Sequence, residues 1–362
     1  MKQIYFFIGT EAELIKLFTI MDNLQQKGIP YKIIASGQND ISKSSVLKAV
    51  NGGRIDWQLS DEKDIKKTAA GLLEWYFKTY QKGVKLFKQL FGKDKNAVIV
   101  VHGDTVSTMM GAYLGGRFGL KVAHVEAGLR SHNWFKPFPE EIDRVLTSRK
   151  AKLHFAPGKT ACENLKNVKG NVVNTVYNTI ADSLEYSRKF ECKNDIISSV
   201  VGREYFVMVI HRQENLMDKT LLSRLVETMQ NKAKETHCVF VLHTITEIAL
   251  NNLGLMDDLR SNPNITLLPR AEYFDFMKLL ENALFVITDG GSNQEELSYM
   301  GKPCLIIRTH TERQDGIGEN AILYGGNLDL IDTFVENYKD YKRDAVKPEF
   351  SPTEVIVENL LK

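Results

Sequence analysis

Residues 97–105 read Ala97-Val98-Ile99-Val100-Val101-His102-Gly103-Asp104-Thr105, an apolar run of five that meets a glycine and then two residues suited to starting a helix. A run this short, and this rich in valine and isoleucine, predicts a strand buried on both faces of a parallel sheet. The pattern recurs at Ile4–Ile8, Tyr31–Ala35, Val122–Glu126 and Leu153–Ala156, with longer helix-like stretches between. A second series follows at Tyr205–Ile210, Cys238–His243, Ile265–Leu268, Leu284–Thr288 and Pro303–Ile307, separated by stretches such as Leu221–Ala233 and Phe274–Asn282. Such alternation predicts βαβ units and an α/β protein of two doubly wound, Rossmann-like domains. The expected boundaries are 1–175 for the first and 176–351 for the second. The crossover falls where Asn171-Val172-Val173-Asn174-Thr175 ends the first series and the polar stretch Asp182–Asp195 begins. The amphipathic segment 352–362 is expected to return as a helix to the first domain.

Composition narrows the class. With 362 residues, 43% hydrophobic and 25% charged, the chain can bury two cores. Its formal net charge of +2 gives no global reason to expect nucleic acid, so an anion site has to be built locally. The apolar run at the N-terminus is far too short to span a bilayer and has no small-residue cleavage site. Cys162, Cys192, Cys238 and Cys304 are widely spaced, without the ligand spacing of a structural zinc or the pattern of a disulfide framework. A reducing cytoplasm is the expected compartment, with no metal and no membrane partner.

In open parallel sheets, ligands bind beyond the carboxyl ends of the strands, so the residues just after each apolar run are the candidates. These include Gly9-Thr10-Glu11-Ala12-Glu13-Leu14-Ile15-Lys16, the Asp104-Thr105 pair, and His124-Val125-Glu126-Ala127-Gly128-Leu129-Arg130. Pro137-Phe138-Pro139-Glu140-Glu141-Ile142-Asp143-Arg144 follows soon after. An Asp or Thr at such a point is often only a helix cap, and Glu126 could form a plain ion pair with Arg130. Asp104, Glu126 and Glu140 nevertheless follow neighbouring strands of one sheet, which places three carboxylates on one rim, as proton transfer on a sugar requires.

In the second series, His211-Arg212-Gln213-Glu214-Asn215 follows one strand, and Thr288-Asp289-Gly290-Gly291-Ser292-Asn293-Gln294-Glu295-Glu296 joins another to a helix start whose free N–H groups favour phosphate. Glu296, about one turn in, can take both hydroxyls of a ribose. Arg313, in Thr309-His310-Thr311-Glu312-Arg313, offers a cation for a diphosphate.

HGDT at 102–105, HVEAGLR at 124–130, FPEE at 138–141, HRQEN at 211–215, GGSNQEE at 290–296, GKP at 301–303 and TER at 311–313 occur in that order. Together they resemble the non-hydrolysing UDP-N-acetylglucosamine 2-epimerases across nearly the whole chain. The resemblance implies a fold like that of the GT-B glycosyltransferases, with a UDP-sugar held in the interdomain cleft, no cofactor, and usually a homodimer. It implies anti elimination of UDP to a 2-acetamidoglucal and re-addition with inversion at C2, in the synthesis of a surface-polysaccharide precursor.

The resemblance assigns Asp104, Glu126 and Glu140 to proton transfer, and His211 and Arg313 to the diphosphate. It assigns Phe276 to uracil, Glu296 to the ribose, Gly290, Gly291 and Ser292 to the phosphate turn, and Lys16 and Arg144 to further basic positions. The family's regulatory site is matched at Gln38, Arg212 and His243, but Ile41 stands where a second glutamine is usual. In the first loop the family reads Gly-Thr-Arg-Pro-Glu, and this chain places Glu11 where that arginine stands. The family's Asp-Ser-Gly-Gly order appears here as Asp289-Gly290-Gly291-Ser292. Two other readings stand beside epimerisation: the same fold performing hydrolysis or glycosyl transfer on an altered substrate, or a nucleotide-sugar-binding protein without turnover.

Overall fold

The computed structural model describes residues 2–61, 63, 68–134, 138–311 and 313–362. Pro137 and Glu312, quoted in the motifs above, lie outside them. The chain divides into two compact units, Met1–Ser183 with Pro348–Lys362, and Leu184–Lys347.

Among the described residues the first unit holds a seven-stranded sheet in the order β3-β2-β1-β4-β5-β6-β7. Its strands are β1 (Gln3–Ile8), β2 (Tyr31–Ala35), β3 (Trp57–Gln58), β4 (Ala97–His102), β5 (Lys121–Val125), β6 (Leu153–Ala156) and β7 (Asn171–Asn174). Every residue of β4 is buried, as its unbroken apolar run requires. The second unit holds a six-stranded sheet, β10-β9-β8-β11-β12-β13. Here the strands are β8 (Tyr205–Val209), β9 (His237–Leu242), β10 (Ile265–Pro269), β11 (Val286–Thr288), β12 (Cys304–Ile306) and β13 (Ala321–Leu323). All the strand pairs are parallel.

In each sheet the strand order reverses once, between β1 and β4 and between β8 and β11. A crevice opens at such a switch point because the crossovers on its two sides leave in opposite directions. The loops at the first are Gly9-Thr10 and Gly103-Asp104; at the second they are His211-Arg212 and Asp289-Gly290.

β3 and β13 escape the periodicity reading because two and three residues are too few to carry a pattern. Glu126 lies one residue beyond β5 rather than within it. The helix Pro352–Leu361 packs along the helix Glu11–Gln26. The Thr19 and Thr353 hydroxyls meet there at 2.8 Å, and Asp182 accepts from the Ser351 hydroxyl at 2.9 Å and the Thr353 N–H at 2.8 Å. Among the described residues no helix is long and apolar enough to cross a membrane.

Candidate functional site

The first unit's polar residues gather at the carboxyl ends of β1, β4 and β5. Thr10 caps the helix Glu11–Gln26, with Glu13 closing a capping box. The Glu13 carboxylate accepts from the Gly9 N–H at 2.6 Å and from the hydroxyls of Thr105 and Thr108. It thereby ties the loop after β1 to the loop after β4. A side chain at Gly9 would meet Ser107 Oγ at 2.1 Å, so the two loops can lie this close only over glycine. On the other side of Gly103, His124 Nε2 donates to its carbonyl at 2.8 Å. Burial pushes His124 down to about 3, so the ring is neutral. The turn that presents Asp104 is thus held from both sides.

Glu126 has φ of 60°, in the left-handed region that a glutamate seldom adopts. Its buried carboxylate accepts from the Lys16 ammonium and the Asn178 amide, and His102 Nε2 stands 3.5 Å away. Two residues on, Gly128 has φ of 89°, and a Cβ there would lie 2.2 Å from the Ala161 carbonyl oxygen. The Glu-Ala-Gly turn after β5 therefore needs its glycine, both for φ and for space. Arg130, the alternative partner for Glu126, donates to the Leu129 carbonyl at 2.7 Å and the Ser148 hydroxyl at 3.0 Å.

Glu140 opens the helix Glu140–Lys150, whose first turn also carries Glu141 and Asp143. Arg144 donates to Asp104 at 2.5 Å and to Glu141 at 3.4 Å. Arg144 thus ties Asp104 to the first turns of this helix, while Glu126 sits in a cluster with Lys16, Asn178 and His102.

In the second unit Asp289, fully buried, is the hub. Its carboxylate accepts from the backbone N–H of His211 at 3.0 Å and of Arg212 at 2.8 Å, and from the Asn215 amide at 3.0 Å. His211 Nδ1 lies 2.9 Å from it, and the His211 ring stacks on His243 at 4.8 Å. Burial alone would raise the Asp289 carboxyl, but His211 and these donors bring it below the usual range. The helix Gly291–Met300 starts immediately after, and a Cβ at Gly291 would stand 3.5 Å from both the Arg308 and Arg313 guanidiniums. Two cations therefore flank a helix N-terminus, an arrangement suited to phosphate. Arg313 also reaches Glu295 at 2.7 Å, and Glu296, buried, accepts from the Asn293 amide at 3.1 Å. Gly290 caps the helix and Ser292 lies in its first turn, while Phe276, half-buried, lies on the helix Tyr273–Asn282.

Asn178 is not among the candidates that the sequence offers, and Asp143 and Asp289 stand in its motifs without a role. Asp289 directly follows β11 and Asn178 comes shortly after β7, so the same after-strand rule had the means to find both. Asp143 had a weaker signal, a third acidic residue in one helical turn.

Two doubly wound units with ligand-ready loops at their switch points define an α/β protein of the GT-B type. MurG of Acinetobacter baumannii shares that fold at a TM-score of 0.57 and 14% identity over 100% of this chain and 99% of its own, a likeness of fold alone. The chain belongs to the UDP-N-acetylglucosamine 2-epimerase family, whose sequence profile matches residues 22–349. The UDP-N-acetylglucosamine 2-epimerase of Methanocaldococcus jannaschii is 30% identical over 355 residues, 94% of this chain and 93% of its own. The crystal structure of the Methanocaldococcus jannaschii UDP-GlcNAc 2-epimerase in complex with UDP-GlcNAc and UDP superposes at a TM-score of 0.79, with 29% identity over 99% of each chain. Proteins of this name are isomerases.

Proposed function

We propose that the chain interconverts UDP-N-acetylglucosamine and UDP-N-acetylmannosamine by anti elimination. The C2 proton and UDP leave to form a 2-acetamidoglucal; UDP then returns to C1, and a proton is delivered to the opposite face of C2. The observation that carries this reading is Glu126, a buried carboxylate on a strained backbone, gripped by Lys16 and Asn178 with His102 beside it. Backbone strain of this kind is kept where the surrounding structure imposes it, and such places cluster at reacting centres. The crystallised relative that binds UDP-GlcNAc and UDP supports a UDP-sugar as the substrate.

In this reading Asp104, Glu126 and Glu140 move the protons, while Lys16 and Arg144 hold two of those carboxylates in place. His211, Arg313 and the N–H groups of Gly290, Gly291 and Ser292 meet the diphosphate, where departure of UDP develops charge. Glu296 takes the ribose hydroxyls and Phe276 lies against the uracil. The test is incubation with UDP-N-acetylglucosamine in D2O, followed by NMR. Deuterium at C2 with inversion supports epimerisation; release of free sugar and UDP, or an unchanged substrate, overturns it.

Glu296→Ala is expected to weaken UDP binding by roughly 1.5–3 kcal/mol, the worth of hydrogen bonds to a charged group. Calorimetry checks this, and an unchanged Kd removes Glu296 from the ribose.

Glu11 favours one second reading, in which the same elimination serves a different sugar or ends in hydrolysis or transfer. Its carboxylate accepts from the Ser44 hydroxyl at 3.1 Å. Like charges ~6 Å apart repel by roughly 2–3 kcal/mol at an effective dielectric of about 20. Glu11→Arg is therefore expected to tighten UDP binding and to raise turnover of UDP-N-acetylglucosamine. Should the variant bind UDP no better in paired calorimetry, the Ser44 contact directs Glu11 away from the diphosphate.

A further inference from the structure

The first turn of the helix Glu140–Lys150 carries more acid than the described residues around it neutralise. Arg144 serves both Asp104 and Glu141, and Glu141 also accepts from the Ser131 N–H at 2.9 Å. Arg130, a second cation among the described residues, feels the charge of Glu141 and donates to the Leu129 carbonyl and the Ser148 hydroxyl. That leaves Asp143, only 3% exposed, with its Oδ2 buried and lacking a hydrogen-bond partner, and Glu140 with its Oε2 in the same condition.

Among the described residues no cation bonds to either of these oxygens; a buried carboxylate without a partner is costly to ionise, and two that lie together cannot both ionise at their usual pH. We propose that Asp143 is a positioning residue of the proton-transfer cluster, the resting holder of a proton that lets Asp104 and Glu140 stand as close, oriented carboxylates. This rests on the epimerase reading for the roles of Asp104 and Glu140, but the proton on Asp143 does not depend on it.

Burial first, then the charges of Asp104 and Glu140, push the Asp143 carboxyl up to about 8. Among the described residues the charges that act on it are Asp104, from the loop after β4, and Glu140 on its own helix, with Tyr76 of the helix Ala69–Phe91 nearby; Glu141 and Arg144 share its stretch of helix but pair with each other and with Asp104. Burial first, with the charge of Asp143 among the lesser causes, holds the Tyr76 phenol up at about 12, so it stays neutral across this range. The helix Val106–Arg117, which packs along this one, contributes Tyr113, whose ring lies under the Lys150 ammonium at 4.8 Å. Near neutral pH Asp143 is therefore a carboxylic acid and adds no charge to the carboxylates near it. As pH rises through about 8 it ionises and sets a further negative charge beside Asp104 and Glu140.

Because the folded chain holds this proton long after the unfolded chain has lost it, the stability it contributes is full below about pH 4 and gone above about pH 8. The experiment is a carbon-13 carboxyl titration of the full chain, beside Asp143→Asn, which keeps shape and an N–H donor but cannot ionise. One aspartate carboxyl is expected to titrate near pH 8 and to vanish in the variant. If every aspartate titrates below about pH 5, near the ordinary range, the proposal is overturned.

In turnover, kcat of the wild type is expected to fall about tenfold between pH 7 and 9, following the fraction of acid left by a pKa of about 8. Asp143→Asn is expected to change less than about twofold over that interval. Parallel pH profiles would overturn the positioning role even if the carboxyl titrates as expected. A chain that proves inactive on UDP-N-acetylglucosamine removes the epimerase reading, and the carboxyl titration still decides where the proton resides.

Discussion

Replacing Glu126 by glutamine is expected to lower kcat at least about a hundredfold while leaving UDP binding within a few fold, because a group that moves a proton in the transition state contributes ~10² or more to the rate. Glutamine keeps the side chain's length and one acceptor oxygen, so the contact from Asn178 survives, but it removes both the base and the counter-charge of Lys16. Lys16 is 3% exposed, and breaking a buried ion pair by removing one partner costs up to about 3–5 kcal/mol. The variant should therefore also unfold at a lower denaturant concentration. Activity and unfolding are to be measured on the same preparation, with turnover assayed where the variant is still fully folded. Comparable turnover under those conditions removes Glu126 from the chemistry and leaves it as half of a structural pair.

Asp289→Ala is expected to be the most damaging change in the second unit. Three donors, the backbone N–H groups of His211 and Arg212 and the side chain of Asn215, converge on a carboxylate with no exposure to solvent. Each buried donor left without an acceptor costs about 1–3 kcal/mol. Partial relaxation should leave a loss of ~3–5 kcal/mol in the unfolding of this unit, read by denaturant titration. The sign of its pH dependence follows from the depressed folded value: the stability that Asp289 contributes is present above about pH 4 and is lost as pH falls through that lower value. The gap between wild type and variant should therefore narrow in acid. His211 loses its orienting partner in the same step, so UDP binding should weaken as well. An unfolding midpoint within experimental error of the wild type would show that the loops after β8 and β11 do not depend on this carboxylate.

Much of this was legible in the order of residues. Buried parallel strands announce themselves as short runs of valine, isoleucine and phenylalanine, because both faces are covered and no polar alternation is needed. The turn after each run then carries the polar groups, so Asp104, Glu126, His211 and the Gly290-Gly291 helix start could be picked out before any coordinate was known. The shortest strands, Trp57–Gln58 and Ala321–Leu323, could not, since their pairing is decided by the neighbours they lie against.

Partnership was equally beyond local reading. Glu126 has an arginine four positions away in sequence, yet its cation is Lys16, 110 residues distant, and its amide donor is Asn178, 52 residues on. Arg144 likewise goes to Asp104, 40 residues back, and a carboxyl one position before it, Asp143, has a buried oxygen with no hydrogen-bond partner among the described residues. The sequence by itself determined the two doubly wound units, their strand-end loops and the family to which the chain belongs, because periodicity and motif order are local properties of the chain. Only the tertiary structure decided which carboxylate each cation neutralises and which carboxyl is buried among other acids, because ion pairing and burial depend on the distances between strand ends far apart in sequence.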